Sequence, residues 1–324
     1  MTTKEKLLEL LEGNKGVYFS GEEIAHRLCV SRAAVWKAVN ALREKGYSID
    51  AVTNKGYCLS ESTDILSPQG IRKYLKPGYQ GMALTVIPEA ASTNTLLREK
   101  ANRGAPEGCT VIANCQTAGR GRQGRQFYSP GETGIYMSVL LRPVHYAPQQ
   151  AAMLTAAAAV AMCEAIEAVS GETAQIKWVN DIFVRGKKVC GILTEASFGL
   201  ESGALEYAVL GAGVNVYPPR AGFPEELESI AGAIFDCDRS DGKNRLAGEF
   251  LNRFLDCYSA PERTEYIAAY RSRSMAVGKN VTVSSGNRTR NAYAYGVDDQ
   301  CRLLVRYENG ETESLSYGEI SIKI

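Results

Sequence analysis

The densest chemistry in this sequence lies between Thr117 and Pro130, where Gly119, Gly121 and Gly124 alternate with Arg120, Arg122 and Arg125. Glycine lets backbone N–H groups approach an anion closely, and a guanidinium grips phosphate or carboxylate in a planar fork. The stretch therefore reads as an anion-binding loop. Cations packed this tightly repel one another until an anion arrives, so the loop is expected to be mobile when empty and ordered over its ligand. The string also satisfies G-x-G-x-x-G, but the residues up to Thr133 carry no helical period, which excludes a dinucleotide-binding turn. The V-A-I-K, H-R-D and D-F-G strings of a kinase are absent. The bland alternative is a solvated basic loop, and the other motifs of the chain weigh against it.

What must hold such a loop is a sizeable protein. At 324 residues the chain can form two or three domains, and its net charge of +1 excludes a general nucleic-acid coating protein, so any DNA contact has to come from a local patch. The nine cysteines show no C-x-x-C and no zinc spacing, and read as reduced, mostly buried thiols of a cytoplasmic protein. The N-terminus has no signal-peptide core, and the apolar run Ala151 to Cys163 is too short to span a bilayer, so no membrane association is expected and the run reads as a core helix.

At the N-terminus, Thr2 and Glu5 predict a capping box before a helix ending at Gly13, and Ser20 starts a second helix from Gly21 to Leu28. After the Cys29-Val30 turn, Ser31 caps a third helix, Arg32 to Lys45, which buries Val35, Ala38, Val39 and Leu42. Its cations Arg32, Lys37, Arg43 and Lys45 face only Glu44, which suits a major groove. A hairpin turning at Asn54-Lys55-Gly56 follows and makes the module a winged helix-turn-helix. The DNA-binding candidates are Ser31, Arg32, Ala33, Ala34, Trp36, Lys37, Asn40 and Lys55; the alternative is a three-helix interaction module.

A polar stretch at residues 60–67 places the first boundary, giving domains 1–66, 67–275 and 276–324. The second alternates short strands with helices, including a long helix Gln149 to Val169 and late helices Lys243 to Cys257 and Pro261 to Arg273, as an α+β domain with a mixed sheet. The third reads as four short strands between Val281 and Leu315, a small all-β cap that leans on the central domain.

Four motifs in this order, Ser92-Thr93-Asn94, Gly119 to Arg125, Lys177-Trp-Val-Asn-Asp181 with Lys187 to Leu193, and Gly211-Ala-Gly-Val-Asn215, resemble the bifunctional biotin–protein ligase and biotin-operon repressor family over nearly the whole chain. The resemblance implies a winged helix, an SH2-like catalytic domain and an SH3-like β-barrel. It also implies that Ser92, Thr93, Asn94 and Gln116 contact biotin's ureido ring, and that Arg120, Gly121, Arg122 and Lys188 surround its carboxyl and phosphate end. Lys188 and Arg122 are then the catalytic cations. Arg125, Phe127, Lys177, Asn180, Asp181 and Asn215 are placed on the nucleotide side, with Asp181 toward Mg²⁺. The alternative readings, which the combination of motifs weighs against, are that Ser92 or Thr93 is only a helix cap and Asp181 a turn residue at a strand start. The chain departs from the family with Phe127 for Trp, Val179 for Pro and Cys301 for Gly.

The implied reaction forms biotinyl-5′-AMP from biotin and ATP, then passes biotin to a lysine of the biotin carboxyl carrier protein of acetyl-CoA carboxylase or another biotin-dependent carboxylase. It needs no histidine, and the only two, His26 and His145, lie outside all four motifs. The implied partners are that acceptor, operator DNA and a second copy of the chain when the adenylate is bound. A non-catalytic biotin-sensing repressor and a lipoate-type ligase are the rival readings; Lys188 with the intact arginine loop argues against the first, and that loop with the winged helix against the second.

Overall fold

A computed structural model describes every residue except 144–150, 200–204, 261, 263, 286–287, 317–318 and 323–324. His145, Gln149 and Pro261 thus lie outside the described residues. The chain forms two compact units, Met1–Gly81 with Cys237–Glu249, and Met82–Asp236 with Phe250–Ile324.

The first unit holds helices α1 (Thr3–Glu12), α2 (Gly21–Leu28) and α3 (Arg32–Arg43), hairpin strands β1 (Ile49–Val52) and β2 (Gly56–Leu59), and helix α4 (Pro68–Arg72). The capping box forms as expected, with the Thr2 N–H donating to Glu5 at 2.8 Å and the Glu5 N–H to the Thr2 hydroxyl at 3.3 Å. Helix α2 ends because Cys29 turns left-handed, at φ 53°. Leu7, Leu11, Ile24, Val35, Val39, Leu42 and Leu59 close one core. In the hairpin, a Cβ on Gly56 would stand 2.1 Å from the Phe19 carbonyl oxygen, so only glycine fits.

The stretch 60–67 is more than a linker. Thr63, Leu66 and Ser67 are buried; Ser67 caps α4 at 2.9 Å and its own N–H donates to Asn244 at 3.2 Å. The compact unit takes in α4 and the distant segment Cys237–Glu249, which pack with residues 1–66. Two buried carboxylates and two half-buried lysines join them. Lys15 lies 3.3 Å from Glu12 and 3.1 Å from Asp241, while Lys73 lies 2.9 Å from Glu12 and also pairs with Asp241. The Tyr74 hydroxyl donates to Asp241 at 2.6 Å and the Asn244 amide at 2.9 Å. Burial alone would raise the Asp241 pKa, but bonds from Lys73, Tyr74 and Asn244, with the Lys15 charge, hold it below the usual carboxylate value. Burial would likewise lower Lys73, but its bonds to Asp241 and Glu12 hold it above the usual lysine value.

The second unit contains β3 (Leu84–Ala90), α5 (Thr93–Asn102), β4 (Thr110–Gln116), β5 (Gly134–Leu141), α6 (Ala151–Ser170), β6 (Ala174–Lys177), β7 (Asp181–Val184), β8 (Lys187–Phe198) and β9 (Leu205–Asn215). Helices α7 (Glu225–Glu228), α8 (Gly242–Ser259) and α9 (Glu265–Ser272) follow, α8 joining this unit from Phe250 onward. The seven strands order as β3-β4-β5-β9-β8-β7-β6; β3 and β4 run parallel and every other neighbouring pair antiparallel. Every position of β5 is buried, as the middle of a covered sheet demands. Helix α6 is apolar enough over Met153–Ser170 to cross a membrane by composition, yet 67% of that window is buried, and the helix packs on β6, β8 and α9 as a core helix.

The C-terminal strands β10 (Lys279–Ser285), β11 (Arg288–Val297), β12 (Leu303–Tyr307), β13 (Thr312–Leu315) and β14 (Glu319–Ile322) form one antiparallel sheet in the order β13-β12-β11-β10-β14. Strand β14 was not anticipated. This sheet belongs to the same compact unit as the central one. The buried Trp178 indole N–H donates to the Cys301 carbonyl at 3.1 Å, and Arg271 donates to Val297 at 2.7 Å. Cys301 holds φ 57°, a left-handed turn that glycine would adopt at less cost.

Candidate functional site

The arginine loop is a folded turn. Gly121 donates to the Arg125 carbonyl at 2.7 Å, Arg125 to Arg122 at 3.1 Å and Phe127 to Gly119 at 3.0 Å, while Gln123 and Gly124 take φ of 54° and 76°. A Cβ on Gly119 would stand 2.4 Å from the Phe127 carbonyl oxygen, so the turn closes only around glycine. Its far end is pinned by the Tyr136 phenol, which donates to the Pro130 carbonyl at 2.8 Å. Burial pushes that phenol well above its ordinary pKa, so it remains a donor. The cations also have protein acceptors in place of mutual repulsion. Arg120 lies 3.6 Å from Glu195, and Arg122 donates to the Asn180 side-chain oxygen at 3.3 Å.

Beside the loop lies a cavity lined by Ser92, Thr93, Asn94 and Gln116, the first three buried. Ser92 is the N-cap of α5, its hydroxyl accepting from the Thr95 N–H, so it both caps and lines. Gln116 Oε1 accepts from the Thr93 N–H at 2.9 Å and lies 3.2 Å from its hydroxyl. Ser138, on the floor strand β5, is 2.8 Å from Thr93 and 2.6 Å from Asn94. The cavity has no charge except Arg120 at its edge.

A second cavity is lined by Arg120, Gly121, Arg122, Arg125, Lys177 and Lys188 with one carboxylate, Asp181. Lys188 and Asp181 pair at 2.7 Å across β7 and β8. The Asn180 amide donates to the Ile192 carbonyl at 2.8 Å, which turns its oxygen toward Arg122. Beneath, burial pushes the Cys190 thiol up, which leaves it inert. The two cavities share Arg120, Phe127, Gly191 and Leu193 as a common wall. Phe127 meets Tyr136 edge-on, with centroids 6.4 Å apart, and a Cβ on Gly213 would come within 2.6 Å of its ring. A Cβ on Gly211 would come within 2.3 Å of Asn94. The glycines of the Gly211 to Asn215 motif thus make room for the two groups that shape the site.

One expected site residue falls elsewhere. Asn215 ends β9, donates to the Gly232 carbonyl at 3.1 Å and lines neither cavity.

On the first unit, Ser31 caps α3 at 3.2 Å, and Arg32, Ala33 and Trp36 line an open groove with residues 51–54 of the hairpin. Trp36 is 58% exposed, far more than a tryptophan without a partner usually is. Lys37 and Lys55 are exposed, Ala34 and Asn40 half-buried, and Lys55 sits 5.7 Å over the Tyr18 ring. Two of the four cations counted along the recognition helix drop out. Arg43 spends its guanidinium on the Ile49 carbonyl, at 2.9 and 2.5 Å, and Lys45 lies beyond the end of α3.

Comparison with known proteins agrees with this arrangement. Residues 3–58 match an HTH domain, 86–215 the biotin/lipoate A/B protein ligase family and 276–323 the biotin protein ligase C terminal domain. The bifunctional ligase/repressor BirA of Bacillus spizizenii is 36% identical over 95% of this chain and 95% of its own. The chain belongs to the bifunctional ligase/repressor family. The Escherichia coli member is 29% identical over 99% of this chain and 98% of its own. Among solved structures, the biotin protein ligase from Aquifex aeolicus in complex with biotin and ATP superposes with a TM-score of 0.59 and 25% identity, covering 74% of this chain and 98% of that one.

Beside these two cavities, Glu195 is a residue that the sequence reading did not single out. It accepts from Asn94 at 2.9 Å and from Arg98 at 3.1 Å, and pairs with Arg120. The available signal was its position two residues beyond Leu193 on β8, hence on the face that carries Gly191 and Leu193. No group of three or more metal-ligating side chains exists among the described residues. Asp181 is the one carboxylate among the described residues that line the cationic cavity, so an Mg²⁺ there would take a single protein ligand, a donor set that fits an ion arriving on substrate phosphates and not a protein-built cage.

Proposed function

We propose that this chain is an ATP-dependent biotin–protein ligase that also represses transcription through its winged helix. The observation that carries the reading is the common wall: a neutral polar chamber and a cation-rich chamber meet at Arg120, Phe127, Gly191 and Leu193. That pair suits a molecule with an uncharged ureido head and a carboxylate that must meet ATP.

In the first step the carboxylate oxygen attacks the α-phosphorus of ATP and pyrophosphate leaves, giving biotinyl-5′-AMP. Two anions have to approach each other. Lys188 and Arg122 lower that repulsion, with the loop N–H groups aligned on the developing charge. Lys188 gives up Asp181, and Arg122 gives up Asn180, as substrate arrives. Asp181 would hold an Mg²⁺ that arrives with ATP, and the ion would add charge neutralisation there. Lys177, Arg125, Phe127 and Asn180 line the nucleotide side; Asn215 supports it from behind through Gly232. In the second step a deprotonated lysine amine of a biotin carboxyl carrier protein attacks the acyl carbon and AMP leaves.

The winged helix binds operator DNA through Arg32, Ala33, Trp36, Lys37, Asn40 and Lys55, with Ser31 and Ala34 at the helix start. In the cytoplasm, adenylate formation favours a homodimer that sets two α3 helices on a palindromic operator. The central and C-terminal sheets are assigned SH2-like and SH3-like topologies.

Incubating the protein with ATP, Mg²⁺ and labelled biotin or lipoate tests the enzyme. A biotinyl adenylate is expected. A lipoyl adenylate would replace the substrate assignment, and biotin bound without adenylate would reduce the chain to a sensor.

A further inference from the structure

Glu195 sits at one end of an unbroken series of polar contacts. Its Oε2 accepts from the Asn94 amide at 2.9 Å, and that amide's second hydrogen goes to the Leu193 carbonyl at 3.3 Å. Asn94 Oδ1 is 2.6 Å from Ser138, Ser138 is 2.8 Å from the Thr93 hydroxyl, and the Thr93 backbone N–H donates to Gln116 Oε1 at 2.9 Å. Gln116 in turn donates to Ser129 at 3.2 Å, and Ser129 to the Phe127 carbonyl at 2.9 Å, inside the arginine loop.

Proton counting gives this series a direction. A carboxylate only accepts, so the Asn94 NH₂ must point at Glu195 and its oxygen at Ser138. A hydroxyl has one hydrogen, so Ser138 spends its own on Asn94 and receives one from Thr93. Asn94 is left with one unused acceptor lone pair toward the cavity, and Gln116 with one unused N–H. Were Asn94 to turn over, its oxygen would face the Glu195 carboxylate and its NH₂ would face the cavity. The other oxygen of Glu195 meets Arg98 at 3.1 Å and lies 3.6 Å from Arg120, contacts that the side-chain oxygen of a glutamine would keep.

We infer that Glu195 is a positioning residue for biotin: it fixes which end of Asn94 faces the ligand, without touching the reacting atoms. The inference rests on the binding role given to Asn94 above. Glu195→Gln keeps the shape but supplies a donor as well as acceptors, so both Asn94 orientations become available. Full-length protein is assayed for adenylate formation with biotin and ATP varied separately, and for thermal melting. Expected for Glu195→Gln is a KM for biotin raised about tenfold, with kcat and the KM for ATP changed less than twofold. Placed on an Asn94→Ala background, the same substitution should add less than twofold, because the group it acts through is gone. Ser138→Ala interrupts the series one link further on and should give the same biotin-only signature; it carries the test should Glu195→Gln not fold. An unchanged KM for biotin in Glu195→Gln, or in Ser138→Ala where that variant carries the test, overturns the inference. So does a loss in kcat alone, or a full tenfold effect on the Asn94→Ala background. An Asn94→Ala protein that binds biotin normally would overturn the binding reading itself, and the role of Glu195 with it.

Discussion

In the first unit Glu12 and Asp241 meet Lys15 and Lys73 in equal number, with carboxylate side chains only 1% and 7% exposed, whereas at the arginine loop five cations line a cavity with one carboxylate. The first set is balanced and sequestered, and each charge finds its partner within the protein. Its work is to hold α1, α4 and the segment Cys237–Glu249 in one arrangement. The second set is out of balance. Even with Glu195 taking up Arg120, positive charge is left over, and an incoming anion is what can neutralise it. Charge count against exposure thus separates structural ions from a site, where the mere presence of lysines and arginines would not.

The comparison is broken most directly by Asp241→Ala. It leaves two half-buried lysines facing Glu12, and should destabilise the first unit by about 2–4 kcal/mol in chemical denaturation. A loss below about 1 kcal/mol would mean that the cluster is not structural. Lys188→Ala should do the reverse, leaving the melting temperature in place and slowing adenylate formation about 10²-fold, roughly 2.7 kcal/mol of transition-state stabilisation. Single-turnover kinetics at the wild-type rate would remove Lys188 from catalysis. Arg122→Gly should still make the adenylate but release it about tenfold faster, so that lysines of bystander proteins become labelled. Wild-type retention in a filtration assay would refute the clamp.

The smallest effect near neutrality is the response to pH. Asp241 is depressed below 3.8, so its contribution is complete above that value and is lost as the pH falls through the lower folded one. Lys73 is raised above 10.5, so its contribution is complete below that value and is lost as the pH climbs through the higher folded one. The cluster should therefore leave stability flat between about pH 5 and 9 and weaken it at both extremes, with Asp241→Asn removing most of the acid limb.

The arginine loop and the winged helix were legible in the sequence because both are local. Capping pairs, a left-handed turn residue and glycines among arginines act within about a dozen positions. What escaped depends on partners far along the chain. The compact unit that holds the winged helix also includes Cys237–Glu249, a segment far along the chain that no local signal ties to residues 1–66. Arg43 entered the cation count of the third helix, but the hairpin carbonyl of Ile49 takes its guanidinium. Glu195 shows itself only once β8 brings it beside Asn94, about a hundred residues earlier in the chain. Asn215 belonged to the right motif, but the strand end turns it toward Gly232.

The shared wall also bears on how the bifunctional ligase/repressor could be blocked. Because Arg120, Phe127, Gly191 and Leu193 face both chambers, a fragment seated in the neutral one and an acidic fragment seated among the cations would stand on opposite sides of a single layer of side chains. A short, rigid tether past the Phe127 ring would make the second docking intramolecular, so that two weak millimolar fragments combine into one compound at an effective concentration set by the tether alone. The tether needs no charge of its own, since the chemistry at each end is already supplied by the protein.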